Sequence, residues 1–311
     1  MISVLGAGVA GLCAATALAE AGLAVEVIEP KDAPPAASRL AGGMLAPFCE
    51  GESAPEQIVV RGQEAVAWWA ARVPGLQRRG TLVIAPPRDR AELDRFARAT
   101  RGHATVQPGD LEPDLAGRFA TGLFFETEAH MDPVGALAAL RRRLTGRDVP
   151  FHVEAPRGRI VDCRGIAARD RLPDLRALRG EMLELHAPEV TLSRTIRLLH
   201  PRFPCYVVPR GDHRFMVGAT MLESARAGPV TARAVMELLS AAWTIHPGFA
   251  EASLIATGAG LRPAFPDNIP ALRRDGDRVH LNGLYRHGFL MAPVLAGDLV
   301  HLLTRELSHA H

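Results

Sequence analysis

Lysine is almost absent from this sequence. Lys31 is the single lysine, and the other 35 of the 36 Lys and Arg residues are arginines. A phosphate-binding loop of the Gly-Lys-Ser/Thr type therefore does not occur, which excludes phosphoryl transfer of that kind. A Schiff-base enzyme would have to use Lys31, which follows a Glu-Pro step and is better explained as a solvated turn residue. Pyridoxal-dependent and aldolase-type chemistries are therefore disfavoured.

Cysteine is scarce as well, and the four cysteines lie far apart. No Cys-x-x-Cys pair occurs among Cys13, Cys49, Cys163 and Cys205. The sequence therefore predicts neither a disulfide framework nor a zinc site, and no bound metal is expected. Unpaired thiols are typical of a reducing cytoplasm, which is the expected location.

An excess of one charge sign is lacking too. Asp and Glu total 34, and the net charge of +2 gives no long-range attraction to nucleic acid or to an anionic membrane. Hydrophobic residues make up 48% of the 311 residues, as in globular proteins of about two domains. Residues 1–19 are apolar, as in a signal peptide, but they lack the basic first segment of one, and their glycines are explained by the pattern described below. Neither a signal peptide nor a membrane span is expected.

A glycine pattern near the N-terminus is the first positive signal. Residues 2–6 are typical of a buried strand, and residues 9–21 are rich in strong helix formers. Gly6, Gly8 and Gly11 form Gly-x-Gly-x-x-Gly across the junction. They serve the turn, the close approach of a pyrophosphate and tight helix-on-strand packing, respectively. This order predicts a dinucleotide-binding cradle.

The next strand supplies a carboxylate for the same ligand. Residues 23–28 alternate as a second strand that ends at Glu29, 18 residues after Gly11. Glu29 can accept hydrogen bonds from both ribose hydroxyls of an adenosine and would repel a 2′-phosphate, which disfavours NADP. Val9 and Ala10, at the helix N-terminus, would face the phosphates.

The segment after the ribose carboxylate distinguishes FAD from NAD. A nicotinamide dehydrogenase usually continues with further strand–helix units, whereas residues 33–47 form a Pro/Ala/Gly loop, for which composition alone leaves a surface linker open. Residues 37–45 (ASRLAGGML) resemble the flavin-contacting loop of the D-amino-acid oxidase family, and especially of ThiO-type glycine oxidases. Residues 205–221, 258–263 and 282–293 follow in that family's order at comparable spacing.

The resemblance implies an α/β (α+β two-domain) fold. It consists of a Rossmann-like FAD-binding domain and a discontinuous antiparallel-sheet substrate domain. The FAD-binding domain is expected from residues 1–75, 130–180 and 256–311, and the substrate domain from residues 76–129 and 181–255.

The local patterns agree with this division. Short β-rich runs occupy residues 80–86, 122–126, 181–186, 195–199, 205–208 and 213–219. Helical patterns occupy residues 56–73, 133–145, 231–243 and 290–307. Residues 159–165 are typical of an inner parallel strand. The short segment between Phe151 and Arg159 departs from the family, because it leaves little room for the extra hairpin of many relatives.

The resemblance also implies a set of FAD contacts beyond the cradle. These fall on Ser38, Arg39, Gly42, Gly43, Met44, Val153, Gly165, Gly283, Arg286, His287, Gly288, Phe289 and Leu290. Val153 is a weak candidate for an adenine contact. The flavin is expected to be non-covalent, because the last cysteine, Cys205, precedes the C-terminal flavin loop. The helix beginning near Phe289 would aim its positive N-terminal dipole at the reduced flavin.

Amino-acid oxidation requires an anchored carboxylate, for which a buried arginine is suited. Arg262, in Ala-Gly-Leu-Arg-Pro, matches the family's carboxylate-binding arginine. Tyr206 is either a second substrate contact or a core tyrosine. Arg286 or its neighbour would offer a backbone carbonyl to the substrate amine. Met44 and Met221 are core residues on composition alone, and by resemblance they line a pocket for glycine or a small N-alkyl glycine.

His287 could be a base, but a loop histidine bonded to a backbone group is favoured. The favoured function is oxidation of glycine to the imine and glyoxylate, with O₂ reduced to H₂O₂, in thiamine thiazole synthesis and in a homo-oligomer. The alternatives are a sarcosine or D-amino-acid oxidase or dehydrogenase of the same fold, and a non-catalytic FAD-binding subunit.

Overall fold

The structure of the protein is a computed structural model that describes residues 1–30, 36–201 and 204–309. Lys31 and residues 33–35 of the predicted flavin loop lie outside these ranges, so the interpretation of Lys31 as a turn residue stays a prediction. Within the ranges, no helix is both long enough and apolar enough to cross a membrane.

The described chain alternates strands and helices. The strands are β1 (Ile2–Leu5), β2 (Val25–Ile28), β3 (Met44–Leu45), β4 (Thr81–Ile84), β5 (Ala104–Val106), β6 (Gly122–Phe125), β7 (Ala129–His130), β8 (Phe151–His152), β9 (Arg159–Asp162), β10 (Arg176–His186), β11 (Thr195–Leu198), β12 (Cys205–Pro209), β13 (Arg214–Gly218), β14 (Leu222–Glu223), β15 (Ser253–Ala264), β16 (Ala271–Asp275) and β17 (Arg278–Asn282). The α-helices are α1 (Val9–Glu20), α2 (Pro47–Glu50), α3 (Glu56–Gly62), α4 (Glu64–Ala70), α5 (Arg90–Ala99), α6 (Pro108–Leu111), α7 (Pro133–Thr145), α8 (Ala232–Ile245) and α9 (Gly288–His309).

The first sheet has the strand order β16-β17-β9-β1-β2-β8. All of its pairings are parallel except the edge pair β16–β17. Apart from Ser3 and Glu26, β1 and β2 are apolar, and both strands are almost wholly buried, as expected of central parallel strands covered on both faces. The inner parallel strand predicted at residues 159–165 is confirmed as β9, which lies between β17 and β1.

One apolar core joins this sheet to its helices. α1 packs along α9, and Leu12 and Leu18 are buried in the same core as Leu295 and Leu299. The indole Nε1 of Trp69, on α4, donates to the carbonyl of Phe289 at 2.8 Å. This bond fixes the first turn of α9, which is the turn nearest to the glycine cradle.

The second sheet has nine strands in the order β14-β10-β13-β12-β11-β4-β6-β5, with β15 paired to β10. α8 packs on one face, where Leu238 and Ala242 are buried with Val207 and Val217. The predicted β-rich runs are confirmed, and the sheet is antiparallel apart from one pair. β4 and β11 are parallel, in register from Thr81 opposite Thr195. Between these two strands the chain visits the first sheet, so no hairpin dictates their direction.

Two further predictions need correction or stay open. The pattern at residues 56–73 forms two helices, α3 and α4, that meet at Gln63. A Cβ at Gly62 would lie 2.7 Å from the Leu290 side chain, so glycine lets α9 pack closely at this junction. The division into two domains stays a prediction. Its boundaries near residues 180 and 256 fall inside β10 and β15, which pair with each other along the second sheet.

Candidate active site

The turn between β1 and α1 has the geometry of a dinucleotide cradle. Gly6 has a φ of +96°, which favours glycine. A Cβ at Gly11 would lie 1.8 Å from the Gly6 carbonyl oxygen, so only glycine allows the helix to start this close to the strand. A Cβ at Gly8 would meet nothing nearer than 3.4 Å. The space above Gly8 therefore admits a ligand, and the cradle fits a pyrophosphate.

The predicted flavin loop is joined to this cradle by Ser38. Its hydroxyl oxygen accepts a hydrogen bond from the Val9 backbone N–H at 3.2 Å. Ser38 thereby takes one of the free donors at the helix N-terminus. Arg39 beside it is exposed, and Ala10 is buried within the first turn of α1.

The adenosine end lies at the carboxyl edge of β2. Glu29 is exposed at the end of that strand and forms an ion pair with Arg141, whose guanidinium lies 4.3 Å from the centroid of the Phe151 ring. Val153 follows β8 and is 51% exposed. Glu29 stands where the sequence predicts the ribose contact, and Arg141 is a neighbour that the sequence did not reveal.

A buried carboxylate holds the short segment that replaces the family's hairpin. Glu26 is fully buried and accepts hydrogen bonds from the Ser3 hydroxyl at 2.6 Å and from the Arg157 backbone N–H at 3.0 Å. The Arg157 guanidinium and His152 Nε2 lie 2.6 and 3.1 Å from its other oxygen. Burial alone would raise the pKa of Glu26, but the bonds from Ser3 and Arg157 lower it to about 2.

At the opposite end, the flavin loop packs against β12. A Cβ at Gly42 would lie 2.8 Å from Cε2 of Tyr206, and Gly43 has a φ of +68°. The buried Arg210 donates to the carbonyls of Ala41 and Gly42 at 3.2 and 2.9 Å. Arg210 thus fixes this loop, a role that sequence reasoning did not predict.

Arg262 lies near the end of β15. Its guanidinium covers Gly180 of β10, where a Cβ would be only 2.2 Å from Nη2. Nη1 donates to the Thr220 carbonyl at 3.1 Å. In the ranges that the structure covers, no carboxylate forms an ion pair with Arg262. Its charge is therefore available to an anionic ligand.

Tyr206 and Met221 adjoin Arg262. Burial raises the pKa of Tyr206, and the nearby Arg262 charge offsets part of that rise, so Tyr206 stays a neutral hydrogen-bond donor. Met221 is 48% exposed, and its sulfur accepts from the Tyr285 hydroxyl at 3.0 Å. Met44, in β3, is half-buried opposite His130.

The segment between β17 and α9 closes the site. Gly283 has a φ of +72°, and a Cβ there would lie 2.1 Å from the Phe265 ring. The Tyr285 N–H donates to the Pro263 carbonyl at 2.8 Å, next to Arg262. Asn282 Nδ2 donates to the Gly165 carbonyl at 2.9 Å, which ties this segment to the end of β9.

α9 begins at Gly288, as predicted, and its first turn is buried. A Cβ at Gly288 would lie 3.4 Å from Val9 of the cradle helix. Phe289 and Leu290 are buried, and the Leu290 N–H donates to the His287 carbonyl at 3.1 Å. The N-termini of α1 and α9 therefore adjoin, and both can face one ligand.

Glu50 is the residue of this site that sequence reasoning missed. Its Oε2 accepts from Arg286 Nε at 2.6 Å and lies 3.2 Å from His287 Nδ1. No backbone group hydrogen-bonds the buried Nδ1 of His287 in the described part of the chain, so the predicted backbone partner is wrong for this atom; the Glu50 carboxylate is the group beside it. Burial alone would raise the pKa of Glu50, but Arg286 and His287 outweigh it and hold that pKa well below its ordinary value. Nη2 of Arg286 is buried without a hydrogen-bond partner in the described part of the chain.

The structure thus brings the predicted residues into two groups. The cradle gathers Gly6, Gly8, Val9, Ala10, Gly11 and Ser38. The reaction end gathers Gly42, Gly43, Met44, Tyr206, Met221, Arg262, Gly283, Arg286, His287 and Gly288. Glu29, Arg39 and Val153 lie at the exposed adenosine side. The contacts of all these residues with a cofactor or a substrate stay predictions, as do those of Gly165, Phe289 and Leu290.

A dinucleotide cradle joined to a region that holds an arginine without a carboxylate partner in the described residues is the arrangement expected of a flavin-dependent oxidoreductase. The family described as FAD dependent oxidoreductase (DAO) matches residues 1–302. The chain belongs to this family and is an FAD-dependent oxidoreductase.

Two relatives narrow the likeness. A protein of Rhizobium etli that carries the provisional name thiamine biosynthesis oxidoreductase ThiO is 53% identical over 317 residues, which cover 98% of this chain and 97% of that relative. The glycine oxidase of Geobacillus kaustophilus is 33% identical over 129 residues, 40% of this chain and 33% of that relative. The crystal structure of glycine oxidase from Geobacillus kaustophilus shares the fold, with a TM-score of 0.83 at 22% identity, covering 98% of this chain and 94% of that one.

Proposed function

We propose that this chain oxidises glycine, or a small N-alkyl glycine, to the imine with O₂ as electron acceptor. Glycine gives up two electrons and two protons, water converts the imine to glyoxylate and ammonia, and O₂ takes the electrons and protons to form H₂O₂. The name of the Rhizobium etli relative supports a place in thiamine synthesis.

Arg262 is the observation that carries this proposal. Its guanidinium lies over Gly180 and near Tyr206, and it donates to the Thr220 carbonyl but pairs with no carboxylate in the described residues. A guanidinium binds a carboxylate with two parallel hydrogen bonds, which would fix the substrate's Cα relative to the flavin. The Tyr206 hydroxyl would donate a further bond to the same carboxylate.

When bound, FAD would accept the two electrons of the substrate's Cα–H bond, while the Cα–N single bond becomes the double bond of the imine. Gly8, with the first turns of α1 and α9, would hold its phosphates and its isoalloxazine end. Burial raises the pKa of all four cysteine thiols, which supports a non-covalent flavin because none is a reactive thiolate. No proton-transfer role is assigned to His287, since Glu50 engages its ring.

The pocket admits only small side chains in this proposal. Met44 and Met221 line it from two different segments, and the Tyr285 hydroxyl holds the Met221 sulfur. Sarcosine or D-alanine as the better substrate is the competing outcome. A homo-oligomeric state and a cytoplasmic location remain predictions, which light scattering and cell fractionation check.

Anaerobic titration of the purified yellow protein tests the proposal directly. Glycine should bleach the oxidised flavin spectrum, and readmitted O₂ should restore it with H₂O₂ formed in equal amount. Oxygen uptake with glycine, sarcosine and D-alanine ranks the substrates. A flavin that none of the three reduces would overturn the proposal, and reduction without oxygen uptake would indicate a dehydrogenase.

A further inference from the structure

Three arginines of the reaction end differ in what they bind. Arg210 is occupied by backbone carbonyls, of which that of Gly42 is the nearest at 2.9 Å. Arg286 is occupied by the carboxylate of Glu50 at 2.6 Å. Arg262 has only the Thr220 carbonyl. Of these three, Arg262 alone offers a charge that no carboxylate or set of carbonyls has already satisfied within the residues described.

Glu50 is fixed in position from both sides. Its helix, α2, begins after Ala46, and the Cys49 N–H of that helix donates to the buried Glu128 at 2.9 Å. Arg197 donates to the Cys49 carbonyl at 3.2 Å. The Glu50 carboxylate is therefore held against Arg286 by the backbone that carries it.

Arg210 adds no free cation to the charge count at the site, because its donors bind backbone carbonyls and Asp132 lies 3.9 Å from its Nε. The remaining charges admit one carboxylate. The anion of Glu50 cancels the cation of Arg286, and Arg262 remains to neutralise one substrate carboxylate. A second carboxylate on the substrate would approach a pair that is already neutral and would meet the Glu50 anion at close range, where like charges repel strongly.

Arg286 nevertheless has one donor nitrogen, Nη2, that is not used by Glu50. Its Nη2 is buried and unpartnered in the described structure, and its Nε is free only if Glu50 loses its charge or its bond. Nε and an Nη of one guanidinium form the two-pronged donor that carboxylates prefer. A neutral residue at position 50 would leave the Arg286 charge uncancelled, so Arg286 could then attract a second carboxylate.

We propose that Glu50 is a specificity-determining residue that, by occupying Arg286, restricts the pocket to substrates with one carboxylate. The proposal rests on the proposed oxidation of a small amino acid at this site. It assigns Glu50 no contact with the substrate, because its effect is transmitted through Arg286.

Binding without turnover tests the proposal separately from the reaction. Acetate, malonate and succinate are titrated into the oxidised holoenzyme, and the change in the visible flavin spectrum gives each dissociation constant. Malonate and succinate carry the second carboxylate at two lengths. In Glu50→Gln, the affinity for the tighter of the two, relative to acetate, should rise by at least about tenfold over the native protein.

Glu52→Gln is the matched control. Glu52 lies two residues further on and pairs with Arg95 and Arg197 instead of Arg286. Glu52→Gln removes the same charge from the same segment but leaves Arg286 paired. The ratio of dicarboxylate to acetate affinity should therefore stay within about twofold of the native value. An unchanged ratio in Glu50→Gln, or an equal rise in Glu52→Gln, would overturn the proposal.

Arg286→Gln provides a second route if Glu50→Gln fails to keep its flavin. This change leaves the Glu50 anion without its arginine. The affinity for dicarboxylates, relative to acetate, should therefore be at least about tenfold lower than in the native protein. A preserved or improved dicarboxylate ratio would contradict the proposal. Failure of the holoenzyme to oxidise any amino acid would instead count against the proposed function, because these titrations need no turnover.

Discussion

The two ends of the cofactor site are built in different ways. The cradle comes from one stretch of chain, residues 2–29, and its contacts depend on backbone shape and on the missing side chains of Gly6, Gly8 and Gly11. The reaction end joins side chains from segments more than 200 residues apart, as Glu50 and Arg286 show. The first end tolerates few residue types, and the second depends on pairing charges correctly.

The two ends also differ in the pKa of a buried carboxyl group, Glu26 at one end and Glu128 at the other. Glu26, under the adenosine side, is surrounded by donors, and its pKa is lowered to about 2. Glu128, which holds α2 at the reaction end, accepts from the Cys49 N–H, but its second oxygen has no partner in the described structure. Burial raises the pKa of Glu128 to about 7. Burial alone does not decide the charge of a carboxyl group, because the donors around it can outweigh the loss of water.

The largest effect is expected at the cradle. Gly8→Val should abolish flavin retention and all activity, because its side chain would occupy the approach of the pyrophosphate. The ratio of flavin to protein absorbance in the purified variant measures this. Gly297→Ala, on α9 where a Cβ meets nothing within 4 Å, should keep its flavin. A yellow Gly8→Val protein would show that the phosphates lie elsewhere.

At the reaction end, Arg262→Ala should lower kcat/KM for the amino-acid substrate by about 10²–10⁴, while flavin content stays normal. The loss corresponds to about 3–5 kcal/mol for a carboxylate left without its partner. Arg262→Lys should recover little, because an ammonium lacks the two-pronged geometry. Steady-state kinetics of both variants check this.

Arg226→Ala is the control for these variants, since the Arg226 side chain is exposed and the hydrogen bonds of this residue are made by its backbone: its carbonyl accepts from Arg179 at 2.8 Å and its N–H donates to the Ser224 hydroxyl at 3.1 Å. It should be silent. Native kcat/KM in Arg262→Ala would make Arg286 the next candidate for the anchor.

Glu26→Gln should destabilise the adenosine side by about 3 kcal/mol at pH 7. The value is at the lower end for breaking a buried pair, because Arg157 is largely exposed. Since folding lowers the pKa of Glu26, its contribution is complete above the unfolded pKa near 4.5 and disappears as the pH falls toward 2. Urea unfolding of both proteins at pH 7 and pH 3 measures this. A stability difference that does not shrink at pH 3 would contradict it.

Glu128→Gln should show the opposite dependence on pH. Folding raises the pKa of Glu128, so its contribution is complete below the unfolded pKa near 4.5 and is lost as the pH rises through about 7. Between pH 5 and pH 8.5 the native protein should lose about 2 kcal/mol that the neutral variant keeps. Urea unfolding at both pH values, with FAD in excess, measures the difference. Parallel pH dependence in the two proteins would show that Glu128 does not titrate in this range.

The cradle could be predicted from the sequence because each of its parts is indicated by neighbouring residues. The period of residues 2–6, the glycine spacing and the acidic end of the second strand all agree within one short stretch. The inner strand at β9 and the long C-terminal helix were predictable for the same reason. The parallel pairing of β4 with β11 was not, because two distant segments decide it.

The reaction end could be predicted only as far as a family resemblance reached. Arg262, Tyr206 and the two methionines were named in that way. Glu50 and Arg210 carry no local signal, since their partners lie 236 and 168 residues away. The partner of His287 was wrong for the same reason: nothing near residue 287 in the sequence indicates a carboxylate.

Backbone contacts of β15 set the distance between Arg262, the proposed substrate anchor, and the segment between β17 and α9. Ala264 bridges to Leu284, and the Pro263 carbonyl accepts from the Tyr285 N–H, directly after Arg262. Because these contacts are made by the backbone, a side-chain replacement does not lengthen this distance. If Met44 and Met221 line the pocket as proposed, a bulkier amine would find room beside them, since Met221 is half exposed and Met44 belongs to a two-stranded ribbon. Laboratory evolution toward larger substrates should therefore collect changes at these two methionines and leave β15 untouched.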